Sequence, residues 1–166
     1  MPTDQDNAPV TDPIPMGWFQ FRDPTDHEMR IIQSALTHGG RLIWDITGHQ
    51  VTDTEADLDL IQHIIDAGII ERDAELSWYA LSHVLAHTFI ACHLHYCTWA
   101  LAYKGERHNW VVRYRQTRYA IFPTHLLELF ITRGHHVDVR AHYFQAEKEF
   151  DSLERQHAPN ILPPVQ

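Results

Sequence analysis

A chain of 166 residues with 44% hydrophobic residues, five Trp, six Tyr and seven Phe has the size and apolar content of one folded domain, which excludes disorder for its body. The formal net charge of -9 arises in residues 1–75, where fifteen acidic side chains face four basic ones; residues 76–103 carry neither, and residues 104–142 carry seven basic against three acidic. That distribution excludes a uniformly basic nucleic-acid binder and describes a molecule with an acidic and a basic end.

Residues 1–15, rich in Pro and Asp, read as a flexible tail, residues 16–158 as a single globular domain and residues 159–166 as a C-terminal tail. The first residues show no basic segment followed by an apolar one, so the expected compartment is the cytoplasm. Two cysteines, Cys92 and Cys97, make no disulfide framework. "GWFQF" reads as a short strand. Thr25 to Glu28, "TDHE", is a capping box, in which Thr accepts from the backbone three residues on and Glu reaches back. The helix it opens is expected to stop at Gly39-Gly40, with "RLIWDI" following as a strand. The device repeats at Thr52 to Glu55, predicting a second helix with Leu58, Ile61, Ile64 and Ile65 inward and a stop at Gly68.

From Asp73 no Pro or Gly interrupts the chain until Gly105, which predicts one long central helix over about 74–104, covered on both faces. Residues 109–122 suit helix or strand, and the stripe Trp110, Val111, Tyr114, Arg118 and Ile121 favours helix. Pro123 is expected in the first turn of a helix ended by Gly134, and a last helix starts near Asp138 with Tyr143, Phe144, Phe150 and Leu153 inward. The expected fold is α+β and helix-dominated, a small N-terminal β element from Gly17 to Val51 packed on a helical bundle around the long central helix.

Two stretches carry chemistry. In "LSHVLAHTFIACHLHYC", His83 and His87 are four apart and can present two nitrogens to one zinc or other divalent transition metal. The residues between them lack the Glu that a zinc protease needs, so further ligands must come from elsewhere: His125 with Glu128, or Asp138 with His142. Read as structural residues instead, these histidines are buried, neutral and hydrogen-bonded, and no cofactor is expected. The uncharged run from Leu76 to Tyr103 is long enough for a membrane, but its four histidines and Ser82, Thr88 and Thr98 speak against a span.

The second stretch, "KGERHNWVVRYRQTRY", interleaves Arg107, Arg113, Arg115 and Arg118 with Trp110, Tyr114 and Tyr119, the mixture that neutralises phosphate and stacks on bases, or that meets an acidic protein. Arg118 and His125 do not form a ribonuclease-type pair on one helix, because Pro123 stands between them. No phosphate-cradling glycine loop, nucleophile elbow or C-x-x-C pair is present. The leading expectation, reached by elimination, is a small accessory or regulatory protein that binds another protein, as an inhibitor or antagonist. A histidine-based metalloenzyme or metal sensor, and a nucleic-acid binder, are the alternatives.

Overall fold

The computed structural model describes residues 20–117, 119–121, 124 and 126–157. The expected tails, Arg118, Pro123 and His125 therefore lie outside the described residues. The order of elements is β1 (Gln20–Arg22), α1 (Asp26–Thr47), α2 (Ala56–Ala67), α3 (Glu75–Cys92), β2 (Cys97–Lys104), β3 (Arg107–Tyr114), β4 (Ala120–Ile121), α4 (Leu126–Thr132) and α5 (Val139–His157). The four strands form one antiparallel sheet in the order β1-β2-β3-β4, so the fold is helix-dominated α+β.

The capping box forms as the sequence predicts: Glu28 N–H donates to Thr25 Oγ1 at 3.3 Å, and Thr25 N–H donates to Glu28 Oε2 at 2.9 Å. α1 does not stop at Gly39-Gly40, however. It runs on to Gly48, whose φ of 72° closes it, and "RLIWDI" forms its last turns rather than a strand. The reason is tertiary. A Cβ on Gly39 would lie 2.6 Å from Val84 Cγ2 and 2.7 Å from the Ala80 carbonyl oxygen, so Gly39 is where α1 lies directly on the backbone of α3. Among the described residues the sheet consequently draws only β1 from the N-terminal region, not the Gly17–Val51 unit expected.

Thr52 to Glu55 does not form a second capping box. α2 begins at Ala56 without a side-chain cap. Thr52 instead donates through its N–H (2.9 Å) and its hydroxyl (3.0 Å) to Asp57 Oδ1, and Thr88 donates to Asp57 Oδ2 at 3.4 Å. Asp57 is fully buried, and these bonds satisfy its carboxylate while tying the loop before α2 to α3.

The central helix is shorter than expected. α3 ends at Cys92; the chain turns at His93, whose carbonyl accepts from Tyr96 and Cys97 N–H, and continues as β2. Residues 107–114 and 120–121 are strands, not helix. β2 is buried on both faces: Cys97, Trp99 and Leu101 join the main core, while Ala100 and Ala102 pack with Val111, Ala120 and Phe21. A strand covered on both sides shows no polar alternation, which is why it reads as a continuation of an apolar helix. Gly105, with φ 61°, makes the tight turn that sets Lys104 opposite Arg107.

α5 starts where expected, Asp138 Oδ1 accepting from Ala141 N–H at 2.9 Å, and it buries Tyr143, Ala146 and Phe150; Phe144, expected inward, is exposed. Gln62 bridges α2 to the start of α5, donating to the Val137 carbonyl (3.1 Å) and accepting from Val139 N–H (2.8 Å). Along its inner edge α5 offers three carboxylates. Glu147 faces His93, Asp151 accepts from the Tyr96 hydroxyl at 3.3 Å, and Glu154 takes both the Tyr114 hydroxyl and Arg115.

Candidate functional site

The histidines of α3 are set by Trp99 on β2. The His83 ring stacks on it at 5.7 Å, and Nδ1 donates to the Tyr79 carbonyl at 2.9 Å, since a carbonyl only accepts. The His87 ring lies parallel to the same indole at 6.5 Å, with Nε2 3.7 Å from Asp53 Oδ1 and a buried Nδ1. Asp53 has φ 57°, a left-handed conformation that Asp tolerates better than most residues.

The other candidate metal ligands lie with different neighbours. Glu128 on α4 sits close enough to Tyr79 and Glu75 to interact with both, and burial followed by Glu75 repulsion raises its pKa. His142 on α5 packs on Phe130 at 5.5 Å, where burial lowers its pKa against the opposing pull of Asp138. Among the described residues no three His, Cys, Asp or Glu side chains gather in a way that would hold a metal ion. Among them, too, no helix is long and apolar enough to cross a membrane.

The basic stretch is rearranged by strand alternation. Trp110 and Tyr114 point with Val112 into the core, 8% and 0% exposed, so neither offers a stacking face to solvent. Arg113 is on the other face, over the Phe21 ring at 5.3 Å, with Nε donating to the Thr117 carbonyl at 2.7 Å. Arg115 donates from Nη2 to Glu154 at 2.5 Å, which lowers the Glu154 pKa and engages that cation. Arg107 is exposed at the start of β3. On a helix Trp110, Tyr114 and Arg118 would share one stripe; on β3 the two-residue period turns Trp110 and Tyr114 inward and Arg113 to the other face, while Tyr119 beyond the strand stays exposed.

What the sequence does not announce is the pair of crevices flanking the contact of Gly39 with α3. One, of about 220 Å³, is mixed in character, with Gln33, Thr37, Asp53 and His87 beside Leu36, Val51 and Val84. The other, of about 570 Å³, lies toward the N-terminal end of α3. Its walls are His27, Arg30, Ile31 and His38 from α1 and Leu76 and Tyr79 from α3. Ile31 is 45% exposed and Leu76 78% exposed, so apolar side chains stand open to solvent on both walls. Part of the signal is present in the sequence: "HEMRIIQSALTH" places His27, Ile31, Ser34 and His38 on one helical stripe apart from the Ile32, Leu36 and Gly39 stripe that meets α3. The second wall needs the fold.

Residues 57–143, from the start of α2 into α5, match the family model of a domain of unknown function, DUF3806. A crystal structure from Bacteroides thetaiotaomicron VPI-5482, solved at 1.50 Å resolution, is similar with a TM-score of 0.69 and 18% sequence identity over 79% of this chain and 48% of that one. The chain thus spans about half the length of that structure, and the likeness is one of fold. No curated protein matches the sequence.

Proposed function

The chain belongs to the DUF3806 family, which carries no assigned function, and with that as the starting point we propose that it is a small regulatory protein acting by binding another protein, as an inhibitor or antagonist. The observation that supports this reading is the wide groove between α1 and α3 with Ile31 and Leu76 exposed on its opposite walls. Exposed aliphatic side chains lining a concave surface are stabilised when a partner removes them from water, at about 25 cal/mol per Å² of apolar area buried. A groove between two helices suits a helix or short segment laid along it.

The test uses Leu76→Asp and Ile31→Asp in the full chain. Both positions are solvent-facing, so the variants should melt close to the parent. Proteins recovered from the native host by the parent and lost by both variants support the groove as the binding surface. Identical recovery by parent and variants refutes it.

A further inference from the structure

The smaller crevice, on the other side of Gly39 from the groove, is a site of a different kind, and we propose that it takes a small primary ammonium ion on a short alkyl chain. Its polar side chains offer acceptors. The Asp53 carboxylate lies 3.7 Å from His87 Nε2, beyond hydrogen-bond reach, so it is not committed to the imidazole. Asp53 keeps its left-handed φ of 57° in a loop pinned by the bonds from Thr52 to Asp57, and a conformation of that kind persists where neighbours hold it. Thr37 gives its hydroxyl hydrogen to the Gln33 carbonyl at 2.8 Å, which leaves its lone pairs for a donor. The Gln33 side chain makes no hydrogen bond among the described residues, and its amide oxygen is a third acceptor. An ammonium group carries three N–H donors and no acceptor, and so matches this set. Leu36, Val51 and Val84 cover an alkyl chain, and a volume of about 220 Å³ keeps that chain short.

The surrounding charges carry the same sign. Asp57 is a buried carboxylate bonded to the neutral donors Thr52 and Thr88, the chain neighbours of Asp53 and His87. Among the described residues no Lys or Arg lines the crevice. Arg41, one turn beyond Thr37 on α1, lies beside Asp45 at 3.7 Å, and Arg30 lines the other groove. A cation is therefore favoured here, and a carboxylate ligand would meet Asp53 with no cation to offset it.

The test is an NMR titration of the full, isotopically labelled chain at pH 8, where an ordinary imidazole is neutral and an alkylammonium is still protonated. n-Butylammonium chloride is expected to move the resonances of Asp53, Val84 and His87 along saturable curves while those of Ile31 and Leu76 in the groove stay in place. 1-Butanol and sodium butyrate, at matched ionic strength, should bind about tenfold more weakly or less. Asp53→Asn, whose side chain tolerates the same φ, should keep the melt of the parent and weaken the ammonium by about tenfold or more. Gln33→Leu, at an exposed position of α1, should also weaken it, and it serves as the readout if Asp53→Asn does not fold. Equal binding of butanol, tighter binding of butyrate, shifts that follow ionic strength alone, affinity unchanged in both variants, or saturation of the same resonances by calcium or zinc chloride at lower concentration than by the amine each overturn the assignment.

Discussion

His93 Nε2 lies 3.0 Å from Glu147 Oε1 while its Nδ1 lies 2.9 Å from the Phe89 carbonyl oxygen. The carbonyl oxygen only accepts, so Nδ1 bears the N–H toward Phe89, and the second ring nitrogen meets the Glu147 carboxyl group. His93 is also the C-terminal cap of α3, and its ring stacks on Phe89 at 4.4 Å. One side chain thus closes α3, starts the turn into β2 and holds α5. Glu147→Ala, which leaves the buried ring without that partner, should cost about 1.5–3 kcal/mol in urea unfolding. Glu147→Gln keeps an acceptor or donor in place and should cost less. Equal stability of all three proteins would show that the contact does not hold α5.

The two adjacent glycines of α1 should respond in opposite directions. At Gly39 the added methyl meets backbone, the Ala80 oxygen at 2.7 Å, so Gly39→Ala should destabilise by about 1–3 kcal/mol as α1 is pushed off α3. At Gly40 the nearest atom is Val51 Cγ2 at 3.8 Å, so Gly40→Ala should stabilise by about 0.5–1 kcal/mol through helix propensity. Thermal melts of the two variants decide it, and a stabilised Gly39→Ala would contradict the packing described.

Acid dependence has two contributions of opposite sign. Burial lowers the His142 pKa below its ordinary 6.5, so the unfolded chain takes up that proton first; the stability from neutral His142 is complete above about pH 6.5 and is lost as the pH falls from there through the folded value. His142→Leu should therefore flatten the loss of melting temperature between pH 7.5 and 5.5. For Glu128 the pKa is raised, so the folded state holds the proton more tightly, and stability declines as pH rises through the carboxylate range. Glu128→Gln should raise the melting temperature at pH 7 and leave it unchanged near pH 4. A parent whose melt has the same pH profile as His142→Leu would rule out the histidine contribution.

Local features were legible in the sequence because their physics is local. Thr25 and Glu28 cap α1 through bonds spanning three residues, Asp138 caps α5, and Gly68 and Gly134 take the positive φ that ends α2 and α4. The helix-dominated α+β class follows from such signals. Other features were decided only by packing at long range. Gly39 sits inside a helix because α3 passes against it, and Thr52 leaves its expected cap because a buried Asp57 demands hydrogen bonds. β2 loses its signature because both of its faces are covered, so an apolar run that could continue a helix pairs with β3 instead, Trp99 opposite Val112 and Leu101 opposite Trp110. That switch of period turned Trp110 and Tyr114 inward and dispersed the stretch that looked like a binding surface. The groove was likewise beyond reach of any local reading, since Ile31 and Leu76 lie 45 residues apart in the chain and become opposite walls only where α1 lies against α3.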